Sequence, residues 1–122
     1  MSQLLTFDTS KRTFSSITLE HSSPSAIYPL KDKNLLFIEH TVYQFSPISF
    51  TIYNAETGEQ VFHILKELNT RPNYFEHIRQ MDNRRLMMIL SDTLIIYDLQ
   101  TKKITNKTTL SEDYVSGIWV NP

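Results

Sequence analysis

The apolar positions of this chain fall in short runs of four to six residues, separated by polar turns, with little sustained helical periodicity. Three segments share one form: an apolar run, an aromatic followed by Asp or Asn, a polar turn, and a second strand-like run. They are Leu4–Phe7 with Asp8, Phe50–Tyr53 with Asn54, and Leu94–Tyr97 with Asp98. The spacing is 46 residues from Asp8 to Asn54 and 44 from Asn54 to Asp98. Each segment predicts a β-hairpin, because a side-chain oxygen at the end of a strand can accept the N–H groups of the turn that follows. A second match lies between these hairpins, where Ile27–Ile38 aligns with Ile78–Ile89 at an offset of 51. It places Leu30, Leu35, Leu36, Phe37 and Ile38 opposite Met81, Leu86, Met87, Met88 and Ile89. The runs Leu35–Ile38, Leu86–Leu90 and Leu94–Tyr97 are continuous rather than alternating, which predicts strands covered on both faces.

Taken in order, these elements predict two closing strands at 1–19, a four-stranded unit at 24–66, a second at 75–110, and the opening strand of another at 113–122. Four short strands in about 45 residues is the pattern of a propeller blade. The chain resembles the WD-repeat-like β-propellers. In that family a Trp-Asp pair ends the third strand, where this chain has Phe7-Asp8, Tyr53-Asn54 and Tyr97-Asp98. The family's Gly-His pair before the first strand is absent, so the resemblance is to the general blade. It implies an all-β fold of about two and a half blades in an incomplete ring. The alternative is a single α+β domain. Val61, Ile64, Leu65 and Leu68, followed by Tyr74, Phe75, Ile78 and Met81, also fit helical spacing, as a helical hairpin near 61–81 broken at Pro72.

Composition narrows the chemistry. The 122 residues are 40% hydrophobic and 11% aromatic, enough for a packed core, and alanine is scarce where Ile, Thr, Tyr and Phe are frequent. Cysteine is absent, which excludes disulfides and thiolate chemistry. Two glycines, Gly58 and Gly117, are too few for a glycine-rich phosphate loop. The net charge of −1 argues against a nucleic-acid binder, no run is long enough for a membrane span, and the start lacks the pattern of a signal peptide. These features predict an intracellular, cytoplasmic protein, with the nucleus also open to it. Asn106-Lys107-Thr108 is a glycosylation sequon, incidental in that setting.

No metal spacing and no catalytic set is visible, so the chain is expected to be neither an enzyme nor a cofactor protein. The four histidines, His21, His40, His63 and His77, are expected at the surface or in loops. In a propeller arrangement one face of the disc receives Lys11, Arg12, Lys31, Lys33, Arg84, Arg85, Lys102 and Lys103. These basic residues are either solvated turns or a contact for phosphate or an acidic partner. The opposite face receives acidic groups together with Tyr43, Phe45, Arg71, Tyr74 and Phe75, the expected anchors for a protein partner. The predicted function is a non-catalytic protein-interaction scaffold, completed by more chain, by self-association or by a partner. Alternatives are part of a small-ligand-binding or catalytic propeller, and a self-contained α+β adaptor domain.

Overall fold

A computed structural model describes residues 2–21, 23–32, 34–40, 47–68, 75–90, 92–110 and 117–121. Among them are ten strands and no helix. Strands β1 (Gln3–Asp8) and β2 (Thr13–Thr18) form an antiparallel hairpin. Strands β3 (Pro24–Pro29), β4 (Leu35–His40), β5 (Ile48–Asn54) and β6 (Gln60–Leu65) form one four-stranded meander in chain order. Strands β7 (Phe75–Gln80), β8 (Arg85–Leu90), β9 (Thr93–Asp98) and β10 (Lys103–Thr109) form another. All pairings are antiparallel.

The helical hairpin considered for 61–81 is not formed. Residues 60–65 are β6 and residues 75–80 are β7. A short apolar run fits both periods, and here the β-branched and aromatic residues Val61, Phe62 and Ile64 pair with β5. Leu68 comes back over Leu65 through a turn, with its N–H donating to the Leu65 carbonyl at 3.3 Å, so their three-residue spacing has a non-helical cause.

The two meanders are copies of one design. Each carries a bulge where its first strand meets its second, between Pro24 and Ala26 and between Phe75 and His77. The pairs Leu36↔Tyr53 and Leu86↔Tyr97 are equivalent, as are Ile27↔Ile38 and Ile78↔Met88. Register therefore matches Ile27 with Ile78 but Leu36 with Leu86, an offset that drops from 51 to 50 across the turn. The turn after β7 is one residue shorter: Leu30 donates to Leu35, whereas Met81 donates to Arg85. This corrects the uniform 51-residue alignment, which sets Phe37 against Met88. A slip of one residue turns every side chain to the other face, and Phe37 and Met88 do face opposite ways in the stack.

The hairpin, the first meander and the second meander stack in that order. Between the meanders lies the main core, with Phe37, Phe50, Ile52 and Leu65 on one side and Phe75, Ile78, Leu86, Met88, Ile95 and Tyr97 on the other. Its centre is aromatic: Phe37 stacks on Phe50 at 4.5 Å, and Phe75 stands edge-on to Phe37 at 5.1 Å. On its other face the first meander meets the hairpin, where Ile38, Tyr53 and Leu36 pack with Leu4, Ile17 and Leu19. Buried runs on both faces of β4 and β8 match the expectation from their continuous apolar sequence. Strand β9 departs from it. Ile95 and Tyr97 are buried, while Leu94 and Ile96 on the opposite face are only half-buried.

Candidate functional site

Both ends of the stack present apolar surface. Leu5 and Phe7 of the hairpin hold the repeat positions of Thr51 and Tyr53 in the first meander, and of Ile95 and Tyr97 in the second. The latter four are buried, whereas Leu5 is 65% and Phe7 49% exposed. Phe7 lies against Phe14 at 4.6 Å, and Phe14 is itself exposed. At the other end, Met87, Leu94 and Ile96 hold the positions of Phe37, Phe50 and Ile52, yet each is only half-buried. The inner strand repeats the contrast: Ile27 is exposed, and its equivalent Ile78 is in the core.

The turn ends carry the charge. Asp8, Asn54 and Asp98 each end a strand and accept two turn N–H groups on Oδ1: Ser10 and Lys11, Glu56 and Thr57, and Gln100 and Thr101. Four residues on, Arg12, Gly58 and Lys102 take positive φ of 56°, 79° and 58° and donate to the carbonyl of the same Asp or Asn. In the second meander this turn also binds Arg84, whose Nε and Nη2 donate to Asp98 Oδ2 at 3.0 and 2.6 Å. Arg84 first, then the turn N–H groups, holds the Asp98 carboxyl down to about 2. Arg85 is likewise taken up, by Asp82 at 2.8 Å. Lys11, Arg12, Lys31 and Lys102 are exposed on their turns and Lys103 at the start of β10, and Lys33 lies outside the described residues. The basic turns are thus partly neutralised by their own carboxylates.

Of the residues expected to anchor a protein partner, Tyr43, Phe45, Arg71 and Tyr74 lie outside the described residues. Phe75 corrects the expectation of a loop-face contact. It is 4% exposed, sits edge-on to Phe37 and Phe50, and donates its N–H to the Glu39 carboxylate at 3.0 Å. The first residue of β7 has to enter the space between the sheets, which commits its ring to the core. Glu39 is buried with it, its pKa raised by burial against the opposing pull of the Phe75 N–H and of Tyr28.

His40 and His63 correct the expectation of a surface or loop position, whereas His21, in the bend after β2, meets it. His40 is buried with Nε2 at 2.7 Å from Thr51 Oγ1, and His21 stacks on Phe62 at 3.9 Å. His63 is 2% exposed; it stacks on Phe50 at 4.8 Å and has Nδ1 at 3.0 Å from the Tyr97 hydroxyl. Burial, then the positive charge of Lys102, pulls its pKa down to about 4. Burial also pushes Tyr97 up to about 12, with help from Glu67 and Asp98. Both rings are therefore uncharged at neutral pH. The signal for His63 was in the strand period, since it alternates in step with Val61 and Leu65 on the core face.

Two clefts open on the surface. One, of about 380 Å³, is walled by Leu35, Ile52, Val61 and Leu99, with His63 in its lining and Glu59 and Arg84 among the residues around it. The other, of about 500 Å³, lies between Pro29, Arg79, Gln80 and the exposed Trp119. Ile118, Trp119 and Val120 border it, and residues 117–121 form no strand, so this part of the expected strand at 113–122 is absent; 113–116 and 122 lie outside the described residues. Among the described residues, no three His, Cys, Asp or Glu groups are placed to hold a metal, and no helix is long and apolar enough to cross a membrane. No protein-family profile matches the chain, and no curated protein matches its sequence.

Proposed function

We propose that the chain is a segment of a β-propeller, of about two and a half blades, acting as a non-catalytic scaffold for protein–protein contacts. One observation carries this reading: equivalent positions are buried in the middle of the stack and open at its ends. Each apolar face meets the opposite face of the next copy, and Leu5 with Phe7 at one end and Leu94 with Ile96 at the other have no such cover among the described residues. Apolar surface of this kind marks an interface. More chain, a second copy or a partner protein would supply the missing sheets.

The alternative of a ligand or catalytic site at the ring's centre draws less support. The inner strands β3 and β7 offer Tyr28, Arg79 and Gln80. Tyr28 hydrogen-bonds to Glu39, Arg79 Nη1 donates to the Ile78 carbonyl, and Gln80 Oε1 accepts the Asp32 N–H at 2.8 Å. These groups serve the frame.

Sedimentation velocity on the isolated 122-residue chain tests the proposal. It should run above monomer mass and bind a hydrophobic dye. A monodisperse monomer that leaves the dye dark would overturn it.

A further inference from the structure

His63 is out of keeping with its place in the repeat. Register sets it level with Ile17 in the hairpin, which is apolar and packs with Leu4, Ile38 and Tyr53. The second meander has the exposed Thr108 at this position, so His63 alone of the three brings polar atoms into the core there. The Tyr97 hydroxyl meets one of them, and among the described residues no other hydrogen bond reaches either ring. Whichever way the shared proton runs, a polar atom is left over. If Tyr97 donates to Nδ1, the Nε2–H is unpaired. If Nδ1–H donates, the Nε2 lone pair and the tyrosine proton are. An unpaired buried polar group costs about 1–3 kcal/mol.

The same side chain helps line the smaller cleft, where Leu35, Ile52, Val61 and Leu99 form an aliphatic part and Glu59, Asn83, Arg84 and Gln100 a polar part. Its volume of about 380 Å³ lies within the range of small-molecule sites. Around the cleft, Arg84 is already held by Asp98, and Glu59 opposes what charge remains, so there is no single sign to draw an ionic head.

We propose that this cleft binds a small uncharged molecule with an aliphatic body and a hydroxyl group. The body replaces water against Leu35, Ile52, Val61 and Leu99. A hydroxyl both donates and accepts, so it can pair with His63 Nε2 whether that nitrogen carries the proton or the lone pair. The neutral state of both rings at physiological pH agrees with an uncharged ligand. The inference stands apart from how the stack is completed, because the cleft lies between two meanders that are both present.

Three probes with one body separate the possibilities: cyclohexanol, cyclohexanecarboxylate and cyclohexylammonium, each titrated into the full chain at neutral pH. The readout is the pair of His63 ring nitrogens in long-range proton–nitrogen correlation spectra. Cyclohexanol should give a saturable shift, with the two charged analogues at least about tenfold weaker, the cost of one mismatched buried polar contact. His63→Leu should abolish binding as followed by the methyl signals of Leu35 and Val61. Leu99→Trp, which fills the cleft and leaves the imidazole in place, should abolish the ring shift. A shift that never saturates, equal binding of all three probes, or cyclohexanol binding undiminished in Leu99→Trp would overturn the proposal.

Discussion

Ile27 and Ile78 hold the same position in consecutive copies of one repeat, yet Ile27 is 45% exposed and Ile78 is 7% exposed. The two strands have the same register and the same bulge. What differs is the neighbour. A full meander covers Ile78, and only a two-stranded hairpin lies before Ile27.

Truncation should separate the two. Ile78→Ala removes methyl groups from a filled core and is expected to cost about 2–4 kcal/mol, whereas Ile27→Ala should cost less than about 1 kcal/mol. Urea unfolding of both variants gives the comparison. Equal losses would mean that the inner face before Ile27 is already covered.

The three matched turns predict opposite signs for similar edits. Asn54→Ala gives up two turn hydrogen bonds and should cost about 1 kcal/mol. Gly58→Ala should cost a similar amount, about 1 kcal/mol, purely through its positive φ, since nothing stands within 4 Å of an added Cβ. Lys102→Gly at φ 58° should stabilise, by up to about 1 kcal/mol. A loss of stability in Lys102→Gly would show that the lysine side chain contributes more than its backbone strain removes.

His63 makes stability depend on pH. The unfolded chain takes up its proton near 6.5, and the folded chain refuses it until about 4. Between those values the unfolded state binds more protons, so stability falls as the pH falls, by at most about 3.5 kcal/mol at about 1.4 kcal/mol per unit. The raised pKa of Glu39 acts the other way, favouring the folded state on its acid side. The difference between the chain and His63→Leu isolates the histidine contribution. It should grow in favour of His63→Leu from pH 6.5 to 4; a constant difference would refute the buried neutral imidazole.

The open end should respond to polarity. Replacing Leu5, Phe7 and Phe14 together with Thr removes the exposed apolar face of the hairpin while keeping residues that suit strands. The triple variant should sediment closer to monomer mass than the parent, with an unchanged far-ultraviolet spectrum. Association as strong as in the parent would move the contact to the opposite end, around Leu94 and Ile96.

Much of the architecture is legible along the chain. The aromatic-Asx pairs mark real strand ends, and Asp8, Asn54 and Asp98 accept turn N–H groups as their chemistry predicts. A turn is a local event, decided by residues within four positions of one another, so sequence suffices for it. The 51-residue match was less secure: a single residue lost from the turn between β7 and β8 reverses the faces, and apolar identity alone does not register which way a side chain points.

The candidate site was the least legible. Phe75 reads as an exposed loop aromatic and His63 as a surface histidine, yet both are core residues. Their burial depends on a second sheet more than thirty residues away, through Glu39 in one case and Tyr97 in the other. The order of residues by itself determined the strands, the turns and the tandem repeat, because those follow from local hydrogen bonding and side-chain period. Only the tertiary structure decided which of the repeated faces are covered, because burial is a property of whatever sheet lies alongside.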